Sequence, residues 1–175
     1  MNSQEKHKYA YALTSVASTG LSFIENSLLS IMNNATDMAY LRSFYILLSY
    51  NFELILKSRV VMIKSFSDKK AINDELGKLG HDIAKIGKTL VANLEELGVK
   101  EIIEYGSQYK IITTNGKEIY IENFTKIRYD FLDDVMRTVD NQEHARIKEY
   151  AEILVSILRK AKEKNEEAKS LITLQ

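Results

Sequence analysis

The sequence predicts an all-α protein, an up-and-down bundle of four to six helices with one β-hairpin inserted at about 109–122. Three observations carry this. The 175 residues include no proline, where average usage near 5% would supply roughly eight or nine. Proline interrupts helices, so its absence fits long helices on short connections. Apolar residues recur at three- and four-residue spacing over long stretches, which marks one face of a helix. A single Asn-Gly lies between two β-branched, aromatic-rich runs, and that pair favours the positive φ angles of a tight hairpin turn.

The first helix is expected from about Ser3 to Met32. Its apolar face reads Tyr9, Leu13, Val16, Ala17, Leu21, Ile24, Leu28 and Met32, and Gly20 is a point where it could bend or break. A loop over Asn33–Thr36 follows. The second helix spans about Asp37 to Lys64, with Tyr40, Phe44, Leu47, Leu48, Leu54, Ile55 and Val61 leaving few polar positions. A helix apolar nearly all round is central and buried. Asp68 can cap the next helix, Ala71 to Leu79, and Gly80 suits its C-terminal end. A fourth helix runs from His81 to Leu97 on Ile83, Ile86, Leu90, Leu94 and Leu97.

Tyr105-Gly106-Ser107 then reads as a turn, and Tyr109–Thr113 and Glu118–Glu122 as strands around Thr114-Asn115-Gly116-Lys117. A lone two-stranded hairpin is marginally stable, so it should pack on the helices or on a partner. Asn123 or Thr125 starts a helix to about Val139. The final helix runs from about Glu143 to at least Lys164 on Ile147, Ala151, Leu154, Leu158 and Ala161. The stretch Arg159–Glu167 is charged all round. We expect one domain over 1–175, with a bundle core at about 36–164, the insertion at 105–122 and a charged helical end at 159–175.

Composition excludes several function classes. Lys+Arg and Asp+Glu number 24 each, so the chain lacks the positive excess of a general nucleic-acid coat protein. The absence of cysteine removes disulfides, thiol catalysis and thiolate metal sites. No apolar run is long enough for a transmembrane helix, and the first residues lack a signal-peptide core. A cytoplasmic protein without membrane contact and without a cofactor is the expectation.

The three histidines, His7, His81 and His144, lie far apart with no metal-ligand spacing, so no metal is expected. Gly77–Gly80 and Gly87-Lys88-Thr89 resemble phosphate-loop fragments, but the full pattern needs a glycine where Asp82 stands. Glu53 and Lys57 sit four apart on the apolar second helix. They read either as a surface ion pair or as a polar pair reaching into a cleft. Arg128-Tyr129, between Ile127 and Phe131, reads either as a structural ion-pair arginine, with Asp82 or Glu53 as candidate partners, or as a phosphate binder. Arg137 and His144 are the candidate catalytic pair. In metal-independent RNA cleavage the histidine would move a proton at the 2′-hydroxyl or leaving oxygen, and the arginine would stabilise phosphorane charge.

Three segments in order resemble the HEPN family of small helical domains, named for higher eukaryotes and prokaryotes and for nucleotide binding. They are Phe52-Glu53-Leu54-Ile55-Leu56-Lys57, Gly80-His81-Asp82-Ile83-Ala84-Lys85-Ile86 and Ile127-Arg128-Tyr129. The similarity covers about Thr36 to Lys164. The resemblance implies a four- or five-helix bundle that dimerises, in a prokaryotic defence or toxin–antitoxin setting. It implies ligand-binding residues at Glu53, Lys57, His81, Asp82, Arg128 and Tyr129. Many members are ribonucleases with an R-x4-6-H motif, a spacing that Arg137 and His144 match, whereas Arg128 has no histidine at that distance. Three functions are therefore weighed: a HEPN-like binding or dimerisation module, a metal-independent ribonuclease, and a non-catalytic helical scaffold. The expected partners are a second copy, a nucleotide or RNA, or another protein chain.

Overall fold

The computed structural model describes residues 1–33, 38–93, 100, 110–112 and 118–120, and residues 149, 152–153, 155–157, 159–160, 162–164 and 166 near the C-terminus. The described chain is predominantly helical. Helix α1 (Ser3–Asn33) and helix α2 (Met38–Ile63) are the long elements. They are followed by α3 (Lys69–Leu79), α4 (Ile83–Leu90) and a 3-10 turn at Val91–Asn93. The C-terminal positions given above are helical too. Strands β1 (Lys110–Ile112) and β2 (Glu118–Tyr120) pair antiparallel, with Ile111 opposite Ile119. The expected turn residues between them, and the helix expected at 123–139, lie outside the described residues.

Local chemistry sets the helix starts. Asn2 Oδ1 accepts from Glu5 N at 2.8 Å while Asn2 N donates to Glu5 Oε2 at 3.2 Å, a reciprocal cap on α1. Asp68 Oδ1 accepts from Ala71 N at 2.8 Å, so α3 begins two residues before the expected Ala71. Asp82 Oδ1 accepts from Lys85 N at 2.9 Å and starts α4. Between the last two, Gly80 ends α3 at φ 65, a backbone that favours glycine.

Helices α1 and α2 run antiparallel against each other. Thr14 Oγ1 lies 3.0 Å from Ser58 Oγ, and Ser58 Oγ donates to Ala10 O at 3.0 Å. Farther along, Gly20 faces Asn51, and a Cβ added at Gly20 would lie 2.8 Å from Asn51 Cγ and nearer still to both amide atoms. This corrects the expectation of a break: α1 runs through Gly20 without interruption, and the glycine serves close approach. A second correction concerns Val16, which is 53% exposed rather than inward. The inward stripe is Ala10, Thr14, Ala17, Leu21 and Ile24, and Val16 stands about 100° around the helix from Ala17.

The core is built on α2, where every residue from Asn51 to Val61 is buried. Phe52, Leu48, Ile55 and Leu56 meet Ile24 of α1, Ile72 of α3, and Ile83, Ile86 and Leu90 of α4 in one cluster. Val155 and Ile157 join it from the C-terminal helical stretch, whose Arg159 pairs with Glu25 of α1. Lys64 pairs with Glu75, tying the end of α2 to α3. The fourth helix is shorter than expected, giving way to the 3-10 turn after Leu90. Leu94 and Leu97 lie outside the described residues.

Candidate functional site

Helix α2 buries polar side chains as well as apolar ones: Ser49, Asn51, Glu53, Lys57, Ser58 and Arg59. A helix surrounded on all sides cannot send these groups to water, so each has to be met in place. Glu53 shows how. Its side chain is 3% exposed, and Lys57 Nζ donates to Oε1 at 2.7 Å. The spacing of four along one helix aligns the two chains, glutamate first. Lys57 is itself only 11% exposed, so of the two readings open in the sequence the surface ion pair is the one corrected.

A third group reaches the same carboxylate from another element. His81, on the turn between α3 and α4, places Nδ1 2.9 Å from Glu53 Oε2 and 3.1 Å from Oε1. The turn can do this because Gly80 reverses the chain after α3 and Asp82 at once restarts it as α4. The sequence led us to expect His81 inside the fourth helix; it lies instead one residue ahead of the Asp82 cap. A carboxylate oxygen accepts, so Nδ1 is the ring nitrogen that donates to Glu53. The His81 side chain is 54% exposed, so the ring bridges a buried charge and the protein surface.

Asp82, Lys85 and Lys78 continue the surface beside it. Lys85 Nζ reaches the carbonyl of Lys78, closing the mouth of the α3–α4 turn. The arrangement holds an imidazole at a fixed orientation beside charged and backbone hydrogen-bonding groups. A half-exposed imidazole is a group type that can hydrogen-bond a ligand or move a proton.

Of the eight residues singled out in the sequence, the structure brings Glu53, Lys57 and His81 together and sets Asp82 next to them. Arg128, Tyr129, Arg137 and His144 lie outside the described residues. Sequence reasoning passed over Arg59, which is 2% exposed, and Asn51, whose Oδ1 is buried without a hydrogen-bond partner among the described residues. The one signal for both was their place inside an otherwise apolar run. Among the described residues no group of His, Asp and Glu side chains could hold a metal ion. No helix among them is long and apolar enough to cross a membrane. No protein-family model matches the chain, nor does any curated protein or solved structure.

Proposed function

We propose that the protein is a HEPN-like helical binding and dimerisation module, of the kind that works in prokaryotic defence or toxin–antitoxin systems. Its ligand site is the polar patch around His81 and Asp82, with Arg128 and Tyr129 completing it. One observation carries the reading. Glu53 is buried beside Lys57 and spends its second oxygen on the half-exposed His81. Replacing a buried ion pair by apolar residues is often neutral or stabilising, so a core built for stability alone has little need of this cluster. Departures from simple core chemistry concentrate at functional sites. The order of the three matching segments supports the family reading.

Nucleotide phosphate or RNA is the ligand class suggested by His81 with an arginine at position 128. The finer architecture belongs to the same proposal. Strands β1 and β2 are closed by the Asn115-Gly116 turn into a hairpin inserted in the bundle, and the protein is cytoplasmic.

Titration of the full chain with ATP and with a short single-stranded RNA, followed by calorimetry, tests this. Binding of either probe is expected, weakened at least about tenfold by His81→Ala and by Arg128→Ala, a loss of about 1.4 kcal/mol each. Affinity for neither probe would overturn the site. Cleavage of the RNA, abolished by His144→Ala, would replace the module by a ribonuclease. Sedimentation tests the dimerisation half: a dimer is expected, and a monomer at every concentration would remove it.

A further inference from the structure

Asn51 stands in the middle of α2 and is 1% exposed. Its Nδ2 donates to Leu47 O at 2.7 Å, one turn back along its own helix. That bond holds the amide in place, because swinging it aside would strand a buried donor. Oδ1 is buried with no hydrogen-bond partner among the described residues. The amide faces Gly20 of α1, and the direction in which a Cβ would leave that glycine runs into it. A residue without a side chain is what fits there. Gly20 is the one glycine of α1, so the helix offers Asn51 a single place of contact.

Hydropathy alone does not choose the face that α1 buries. From Tyr9 to Ile24, sixteen residues in succession carry no charge. The inward stripe is Ala10, Thr14, Ala17, Leu21 and Ile24. A second stripe of Tyr9, Leu13, Val16, Gly20 and Phe23 is centred about 90° round the helix. It is no less apolar, yet it leaves Val16 and Phe23 exposed. Thr14 does not compel the choice, because its Oγ1 also donates to Ala10 O within α1 itself. Asn51 does compel it. Turning α1 onto the second stripe brings Thr19, about 100° round from Gly20, against the amide. Sliding α1 by one turn either way brings Val16, Ala17, Phe23 or Ile24. Each of these carries a Cβ where the observed seating has none.

We propose that Asn51 and Gly20 are a key that selects the buried face and the register of α1, and that an apolar residue at position 51 gives a chain no less stable but seated in two ways. A single buried asparagine fixes register in coiled coils by the same logic, excluding alternatives rather than adding stability. The key holds Leu21 inside and Val16 outside. It involves no ligand and stands whether or not the His81 patch binds one.

The chain has no cysteine, so single introduced thiols report the seating. Val16→Cys places one on the outer stripe, and Leu21→Cys places one on the inner stripe at a position 3% exposed. With Asn51 in place, a water-soluble thiol reagent under native conditions should label position 16 at least about a hundredfold faster than position 21. Asn51→Leu replaces the held amide by a chain of similar volume that can swing aside. Leu47 O keeps the helical N–H of residue 51, and no polar atom is left orphaned. The urea midpoint should therefore stay the same or rise. Labelling at position 16 should slow at least about twofold, and labelling at position 21 should quicken at least about tenfold. Loss of stability does not produce that pair of changes, because unfolding exposes position 21 and cannot slow position 16. Asn51→Ala, which empties the contact, should slow position 16 in the same way, and it decides the matter if Asn51→Leu fails to fold. An unchanged rate at position 16 in every folded variant of residue 51 would overturn the proposal. So would a lowered midpoint in Asn51→Leu with position 21 still protected, since Asn51 would then be a stabilising contact and no selector.

Discussion

Helices α1 and α2 are of similar length and lie side by side, yet they use polar residues in opposite ways. On α1 the inward stripe is almost wholly apolar, with Thr14 its one polar member, and Ser15, Thr19 and Ser22 outside it face water. On α2 eleven consecutive positions are buried, and Asn51, Glu53, Lys57, Ser58 and Arg59 are among them. A polar residue on the outside of α1 can be met within its own helix, as Thr19 Oγ1 donates to Ser15 O and Ser22 Oγ to Ser18 O. A polar residue on α2 imposes a demand on a neighbour. Glu53 recruits Lys57 and His81, Ser58 finds Ala10 O, and Asn51 presses against Gly20. The difference locates specific chemistry on the helix whose central turns have no face to solvent.

That contrast can be broken by matched substitutions, since each helix pairs a glutamate with a basic residue. The largest effect is expected from Glu53→Ala, which strands Lys57 in the core and releases His81. Breaking a buried pair from one side costs about 3–5 kcal/mol. The matched change on α1, Glu25→Ala, removes a pair with Arg159 whose side chains are 32% and 56% exposed. It should cost less than about 1 kcal/mol, as exposed pairs do. Urea unfolding of both variants measures the difference. Comparable losses would mean that the two helices are not distinguished by burial.

A smaller loss than that of Glu53→Ala is expected at the crossing itself. Gly20→Leu forces a side chain into the Asn51 amide, and overpacking of this kind costs about 1–3 kcal/mol. Pairing it with Asn51→Ala should recover part of the loss, since the space is then vacated. Gly20→Leu without cost would show that the two helices can part without harm.

The smallest effects lie at the edge, on α3. The Ala71 backbone N–H, the α3 cap contact, holds the Asp68 carboxyl below its ordinary value of 3.8. The Lys64 ammonium does the same for Glu75, below 4.5. A carboxyl whose folded pKa is depressed contributes stability that is complete above its ordinary value and lost as pH falls through the folded one. Thermal unfolding midpoints should therefore fall below about pH 4.5 and fall less steeply in Asp68→Asn and Glu75→Gln. An acid limb of unchanged slope in both variants would remove these contacts from the account.

Much of the fold was legible in the sequence, for a local reason. A cap such as Asp68 acts on a backbone group three residues away, and Gly80 on its own φ angle, so the sequence contains both partners. The buried run on α2 was legible because few of its positions are polar. The site was legible only in part. Glu53 and Lys57 four apart make the same pattern on a surface as in a core, and what decides is which elements close over them. His81 stands 28 residues from Glu53, and no local spacing announces that contact. Val16 was misread for a related reason: three- and four-residue spacing admits two overlapping stripes on α1, and packing against α2 selects one.

The central claim is that Glu53 and His81 are energetically one unit across two elements. A double-mutant cycle of Glu53→Gln and His81→Ala, read by chemical unfolding, tests it most directly. Coupling of at least about 0.5 kcal/mol is expected between groups in direct contact, with the double variant losing less than the two single losses together. Strict additivity, in which removing His81 costs the same whether or not residue 53 is charged, would contradict the account.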